Sequence, residues 1–250
     1  MDKVIVFDFS GVLVDDVDEC TMVAEIAAKE CGIKVGENFH EQQRAARKFV
    51  LHADDYYVIS KALEENIDMN FKNMTIDEYN TLVEKFGFLE EFHKKFYEVR
   101  HRLMKEDVGK WFGMHRSYPN IMGVVKELKK YYPVFIGTAK NRKAIIEVLD
   151  YLGFGDVFDE DKIITKELSK KKADQMNYIS EKFSVPLNKI LFVEDMVQNA
   201  LATKKIGVNV AVVAWGYSDE RQRQDIKESG VPILENDEVY EQLKEIMVKM

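Results

Sequence analysis

Four stretches of the sequence set polar residues where phosphoryl chemistry would use them. Lys3 to Asp16 reads KVIVFDFSGVLVDD: Val4, Ile5, Val6 and Phe7 make a short apolar, β-branched run suited to a fully buried strand, and the run stops at an acid, Asp8. A carboxylate there stands at the carboxyl end of a central strand, the edge at which open α/β sheets bind ligands. Gly11 lets the chain leave the strand sharply and lets a ligand approach the backbone. Pro133 to Gly137 (PVFIG) is a second apolar run, ending at the hydroxyl of Thr138. Ile190 to Val193 (ILFV) is a third, ending at the acid pair Glu194-Asp195, and between them Lys172 opens a helical stretch.

Each of these residues also has a plainer reading. Asp8 alone is a turn residue ending a strand, Thr138 a β-branched strand residue, and Glu194-Asp195 a helix N-cap pair. Lys172 could be a solvated helix start in the run Lys170-Lys171-Lys172. It is preferred because Met176, Ile179 and Phe183 follow it at helical spacing, although Lys170 remains an alternative.

The elements that must position these residues alternate. From Ser117 onward, Pro119-Asn120 opens a helix to Lys130, PVFIG is a strand, and Asn141 to Leu152 is a helix closed by Gly153. Lys162 to Thr165 is a short strand, Lys171 to Phe183 a helix, ILFV a strand, and Met196 to Ile206 a helix closed by Gly207. Asn209 to Ala214 and Pro232 to Leu234 are strands, flanked by helices near Glu220 to Ser229 and Asp237 to Val248. The expected fold class is α/β, a doubly wound, mostly parallel Rossmann-like sheet. Between about Asp18 and Glu106 the pattern is helical with hardly any strand signal. The expected division is therefore an α/β core of residues 1–16 and 105–250, with an all-helical domain, 17–104, inserted after the first strand.

Composition limits the partners. A formal net charge of −8 argues against a general polyanion binder, whose affinity rests on clustered Lys and Arg, so no nucleic acid is expected. No apolar run approaches the roughly 20 residues of a membrane span, and the N-terminus enters a strand without signal-peptide features, so the expectation is a cytoplasmic protein without a membrane partner, acting as a monomer or homodimer. Cys20 and Cys31 fall in one expected helix, where eleven residues rise about 16 Å. That is beyond disulfide reach.

Asp8 with Gly11 after one strand, Thr138 after a second, Lys172 at a helix start and Glu194-Asp195 after a third, in this order, resemble the four-motif signature of the haloacid dehalogenase-like hydrolase superfamily. Trp215-Gly216-Tyr217 and Tyr118-Pro119 resemble its phosphoglycolate-phosphatase-like branch with a helical cap. The resemblance implies a Mg²⁺-dependent phosphatase on a small phosphorylated metabolite. Asp8 would be the nucleophile, forming an aspartyl-phosphate that water hydrolyses. Thr138 and Lys172 would hold the phosphoryl oxygens, with Gly11, Ala139, Lys140 and, in the insert, Arg47 as further phosphate or substrate contacts. Asp8, the Ser10 carbonyl, Glu194 and Asp195 would supply hard oxygen ligands to Mg²⁺. The insert would act as a lid.

The sequence departs from that signature at Ser10, where phosphatases of the superfamily carry a second aspartate that protonates the leaving oxygen and activates water. Serine is a poor acid or base near neutral pH, so ester hydrolysis is expected to be slow unless the leaving group is good. Three alternatives follow: a 2-haloacid dehalogenase, which uses no Mg²⁺ and leaves Glu194-Asp195 unexplained; a phosphonoacetaldehyde-hydrolase-like enzyme with an insert lysine such as Lys48; and a low-turnover phosphate-binding regulatory protein. Asn199 replaces an acid found in many relatives, and Ala139-Lys140 replaces the usual Asn after the second motif. Arg44, Arg47, Lys48 and His52 share helical spacing in the insert, as an anion site or, more plainly, a solvated basic face.

Overall fold

The computed structural model describes residues 2–66 and 68–250. The chain begins with strands β1 (Val4–Phe7) and β2 (Val14–Asp15). Six helices follow: α1 (Val17–Glu30), α2 (Phe39–Ala46), α3 (Ala53–Glu65), α4 (Ile76–Phe86), α5 (Glu90–Glu106) and α6 (Val108–Gly113). Alternation then sets in with β3 (Arg116–Ser117), α7 (Ile121–Leu128), β4 (Val134–Gly137), α8 (Arg142–Tyr151), β5 (Ile163–Ile164), α9 (Lys172–Phe183), β6 (Ile190–Glu194) and α10 (Val197–Lys204). The chain closes with β7 (Asn209–Val213), α11 (Glu220–Glu228), β8 (Ile233–Leu234) and α12 (Val239–Lys249).

Six strands form one parallel sheet in the order β5-β4-β1-β6-β7-β8. Period-two alternation decides which side each residue takes. Val4, Val6, Phe135, Ile190, Phe192, Val210 and Val212 form one cluster with Met176 and Ile179 of α9, Ala200 of α10 and Ile226 of α11. The residues between them, Ile5, Phe7, Ile136, Leu191, Val193, Ala211 and Val213, are also buried, as a parallel sheet covered on both faces requires. Strand order runs outward from β1 to β5, then restarts at β6 and runs the other way. The carboxyl end of β1 is therefore a topological switch point, where such sheets open a crevice for ligands.

The described residues divide into two compact units, one running to Asp15 and resuming at Arg116–Met250, the other Asp16–His115. The return to the sheet unit lies at Arg116, later than the expected 105, because α6 belongs to the helical unit. Its Trp111 is fully buried and donates its indole N–H to Glu19 Oε1 of α1 at 3.3 Å. A helix of six residues is too short to show periodicity, which hid this boundary. β2 and β3 pair antiparallel, Val14 with Ser117 and Asp15 with Arg116.

Within the helical unit, α1 buries Cys20, Val23, Ala24, Ala27 and Ala28, one stripe at i, i+3 and i+4. The same helix carries Glu19, fully buried and paired twice with Arg100 of α5, Nε to Oε1 at 2.6 Å and Nη2 to Oε2 at 2.8 Å. Tyr56 stacks on Phe96 and Phe49 on Tyr79. Cys20 and Cys31 are free thiols. The helical pattern from Glu41 to Asn66 is broken: α2 ends at Ala46, a 3-10 turn covers Arg47–Phe49, and α3 starts at Ala53. Asp55 causes the restart, its Oδ2 accepting the backbone N–H groups of Leu51 and His52 at 3.0 and 3.1 Å. Arg44, Arg47, Lys48 and His52 therefore do not share one helical side.

Candidate active site

Asp8 follows β1 directly and its backbone N–H donates to Val193 O at 2.9 Å, which carries the β1–β6 ladder one residue further. Its carboxylate is nearly buried, and Oδ1 accepts two hydrogen bonds, from Phe9 N at 2.7 Å and from Lys172 Nζ at 2.7 Å. Lys172 is the first residue of α9. Ser169 fixes that helix start, its Oγ accepting from Lys171 N at 3.1 Å and donating to Asp174 Oδ2 at 2.7 Å. Of the three consecutive lysines, Lys170 and Lys171 are exposed and Lys172 is buried. Its ammonium donates to Gly137 O at 2.7 Å and lies 3.7 Å from Glu194 Oε2.

Thr138 follows β4, its N–H donating to Ile164 O at 2.9 Å and its hydroxyl accepting from Lys140 N at 3.2 Å. Gln175, one turn after Lys172, ties the same strand end: Nε2 donates to Thr138 O at 2.8 Å and to Ser169 O at 2.7 Å. Two side chains of α9 thus hold two successive carbonyls, Gly137 by Lys172 and Thr138 by Gln175. Gln175 was not visible as a site residue in the sequence, where a Gln in a helix carries no signal.

Glu194 ends β6, and Asp195 follows it. Both are fully buried. Glu194 Oε1 accepts from Asp195 N at 3.2 Å and Met196 N at 3.0 Å, in the turn that leads into α10, whose N-cap is Met196. Its other oxygen, Oε2, is buried without a hydrogen-bond partner among the described residues. Burial first, and then the adjacent Asp8 carboxylate, push the Glu194 carboxyl well above the usual carboxylate range, with Lys172 opposing them. Asp195 Oδ2 accepts from Tyr217 N at 3.0 Å.

Two glycines make room for Asp195. A Cβ on Gly11, whose φ is +82°, would stand 2.2 Å from Asp195 Oδ2, and one on Gly216 would stand 2.3 Å from Asp195 Cβ and 2.8 Å from Gly11 O. The close approach that Gly11 permits is that of this carboxylate. Gly216 and Tyr217 entered the sequence reading only as part of a Trp-Gly-Tyr resemblance; nothing in the sequence tells that one of them must lack a side chain.

Asp8, Glu194 and Asp195 each offer a ligand oxygen, all within 4.8 Å of one another. Three buried carboxylates are grouped together, the Lys172 ammonium pairs with Asp8 and lies near Glu194, and Glu194 Oε2 has no hydrogen-bond partner among the described residues. A hard divalent cation with oxygen ligands answers both the charge and the empty acceptor, so the residues fit Mg²⁺. Among the other expected residues, Ser10 forms an isolated bridge with Val14, Ala139 is half-buried, and Lys140 is buried. Arg47 lies in the helical unit, its Nη1 donating to Val50 O at 2.8 Å, and Lys48 there donates to Lys72 O at 2.9 Å. Asn199 lies on α10, half-buried.

Residues 3–207 match the family model described as haloacid dehalogenase-like hydrolase. The chain belongs to the haloacid dehalogenase-like hydrolases. It is 26% identical over 219 residues to a phosphoglycolate phosphatase of Vibrio cholerae, covering 86% of each chain. Among solved structures it resembles a predicted phosphatase from Clostridium acetobutylicum, with a TM-score of 0.70 and 17% identity over 98% of this chain and 99% of that one. A haloacid dehalogenase-like family protein from Streptococcus pneumoniae is also similar, with a TM-score of 0.66 and 16% identity over 97% and 98%. These structural likenesses speak for the α/β fold of the family, and no described helix is long and apolar enough to cross a membrane.

Proposed function

We propose that this hydrolase is a Mg²⁺-dependent phosphatase of the cytoplasm acting on a small phosphorylated metabolite, with Asp8 as nucleophile. The observation that carries the reading is the grouping of the Asp8, Glu194 and Asp195 carboxylates at the switch point of the sheet, with the Lys172 ammonium on Asp8 and near Glu194. Likeness to a phosphoglycolate phosphatase supports phosphate over carbon–halogen chemistry. The acid pair does the same, since a dehalogenase would have no use for it.

The Phe9 N–H and the Lys172 ammonium both bond to Oδ1 of the Asp8 carboxylate, which leaves Oδ2 to act as the attacking oxygen. Lys172 lowers the charge repulsion that two anions meet on approach, and with the Thr138 hydroxyl it holds the equatorial oxygens as charge spreads over them. Mg²⁺ bound by Asp8, Glu194, Asp195 and the Ser10 carbonyl would neutralise phosphate charge and orient the phosphoryl group. Residues 16–115 would form the cap that selects the substrate.

The test is phosphate release from a panel of small phosphate compounds, with Mg²⁺ and with chelator, by wild type beside Asp8→Asn. Metal-dependent release that vanishes in the variant is expected. Equal release by Asp8→Asn would overturn the assignment.

A further inference from the structure

A phosphate monoester leaves an alkoxide behind unless a proton arrives as the P–O bond breaks. An alcohol holds its proton about as tightly as water, with a pKa of about 15.7, whereas a carboxylic acid gives it up at about 4. The two kinds of leaving group therefore make opposite demands on the site.

The loop after β1 offers no donor. Residues 9–14 read FSGVLV, without an acid, a histidine or a lysine. The loop is also pinned in place: Phe9 O accepts from Leu13 N at 3.0 Å and Val14 N at 2.9 Å, and Gly11 N donates to Val14 O at 2.9 Å. Val12 O accepts the Trp215 indole N–H at 3.1 Å, and Leu13 O the Tyr118 N–H at 3.1 Å. Surrounding carboxylates already serve as acceptors: Glu194 for Asp195 N and Met196 N, Asp195 for Tyr217 N, and Asp15 for the Tyr217 hydroxyl at 2.9 Å. Lys172 is held by Gly137 O and Asp8 Oδ1. Of the described residues read as holding the phosphoryl group, Ser10 and Thr138 offer hydroxyls, which do not give up a proton near neutral pH, and the buried Lys140 is read as a contact of the phosphoryl oxygens.

We propose that the substrate is an acid anhydride of phosphate, an acyl phosphate or phosphoanhydride whose leaving oxygen departs as a stable anion. The proposal rests on the reading of Asp8 as the phosphoryl acceptor. In the first step an Asp8 oxygen bonds to phosphorus, the bond from phosphorus to the bridging oxygen breaks, and its electron pair leaves on a carboxylate or phosphate; no proton moves. In the second, water bonds to the same phosphorus, the bond to Asp8 breaks with its pair returning to the carboxylate, and both water protons leave on the product, dihydrogen phosphate. The aspartyl-phosphate is itself an acyl phosphate, so the two steps share one requirement. Neither leaving group, a carboxylate or a phosphate, calls for a proton donor.

The test is a leaving-group series with Mg²⁺: acetyl phosphate, 4-nitrophenyl phosphate, phenyl phosphate and 2-phosphoglycolate, with wild type, Asp8→Asn and Ser10→Asp. A brief exposure to acetyl phosphate followed by acid quench and peptide mass analysis reads phosphorylation of Asp8 independently of turnover. Expected is a kcat/KM for acetyl phosphate at least about 100-fold above that for 2-phosphoglycolate, the size of one general-acid contribution, with a phosphorylated Asp8 peptide. Ser10→Asp should raise the alkyl ester selectively and narrow the gap by a similar factor. Should that variant fail to fold, the wild-type series decides alone. Comparable kcat/KM for alkyl ester and acyl phosphate, lost in Asp8→Asn, would overturn the anhydride inference and leave the phosphatase reading standing. No Asp8-dependent release from either substrate, and no phosphorylated Asp8, would overturn both.

Discussion

Lys172 Nζ and Asp8 Oδ1 stand 2.7 Å apart, and both side chains are nearly buried. The ammonium reaches this point from the first turn of α9 because Gly137 O accepts its second hydrogen bond, so one lysine joins the ends of β1 and β4. Lys172→Met would take this ammonium away from the buried Asp8 and Glu194 carboxylates. Breaking a buried pair in this way costs on the order of 3–5 kcal/mol. Expected are a lowered Tm, partly recovered by Mg²⁺, and loss of hydrolysis by at least about 100-fold; unchanged Tm and activity would show that the charge is not needed there.

Glu194 predicts how stability follows pH. Burial and the neighbouring Asp8 raise its carboxyl well above the usual range, so the folded, metal-free protein keeps a proton that the unfolded chain releases. More protons bound in the folded state means that stability falls as pH rises, from the ordinary carboxylate pKa of about 4.3 upward to the raised one. Mg²⁺ takes the ionised form and opposes this fall. Thermal melts at pH 5 and pH 8, each with chelator and with Mg²⁺, should show a larger metal-induced gain at pH 8. Glu194→Gln should flatten the chelator series.

Glycine substitutions test the packing around Asp195. Gly216→Ala puts a methyl 2.3 Å from Asp195 Cβ and 2.8 Å from backbone. Such overpacking costs about 1–3 kcal/mol, and here it displaces a carboxylate of the candidate metal site. Both Tm and the Mg²⁺-induced shift should fall. Gly123→Ala is the control, since its Cβ meets nothing within 4 Å inside α7 and should be neutral or gain up to about 1 kcal/mol.

In the helical unit, Arg100→Met would take the guanidinium from the fully buried Glu19 carboxylate, leaving neutral donors such as the Trp111 indole and the Cys20 thiol. A loss of about 3–5 kcal/mol in denaturant unfolding is expected, and Glu19→Gln added to Arg100→Met should recover part of it. Equal losses in the single and double variants would mean that the ion pair is not what the site depends on.

Much of the sheet unit was legible because its strands are unbroken apolar runs, and polar residues that end such runs stand out. Asp8, Thr138 and Glu194-Asp195 were visible for that reason, and Lys172 through the apolar residues spaced after it. Tertiary contacts without a local signature were not. Gln175 is an ordinary helical residue until its amide meets Thr138 O, and Gly216 an ordinary loop glycine until Asp195 fills the space beside it. The break between α2 and α3 was hidden because Arg47 to His52 carries neither Gly nor Pro; the restart depends on a single Asp55 oxygen accepting two backbone N–H groups. The boundary at His115 was missed because α6 is too short to show a period.

The strand order has a consequence for how the chain reaches its folded state. Phe7 pairs with Ile136 on one side and Val193 on the other, so the central strand is made before both of its neighbours and must wait for them. The helical residues 16–115 can settle through local contacts while β1 waits, yet Asp8 gains its partners only when Gly137 and Lys172 have emerged and closed those long loops. Until then the run Val4–Phe7 is an exposed, β-prone segment of the kind that pairs with other chains. Nascent chains released before Val193 should therefore be the ones that chaperones hold.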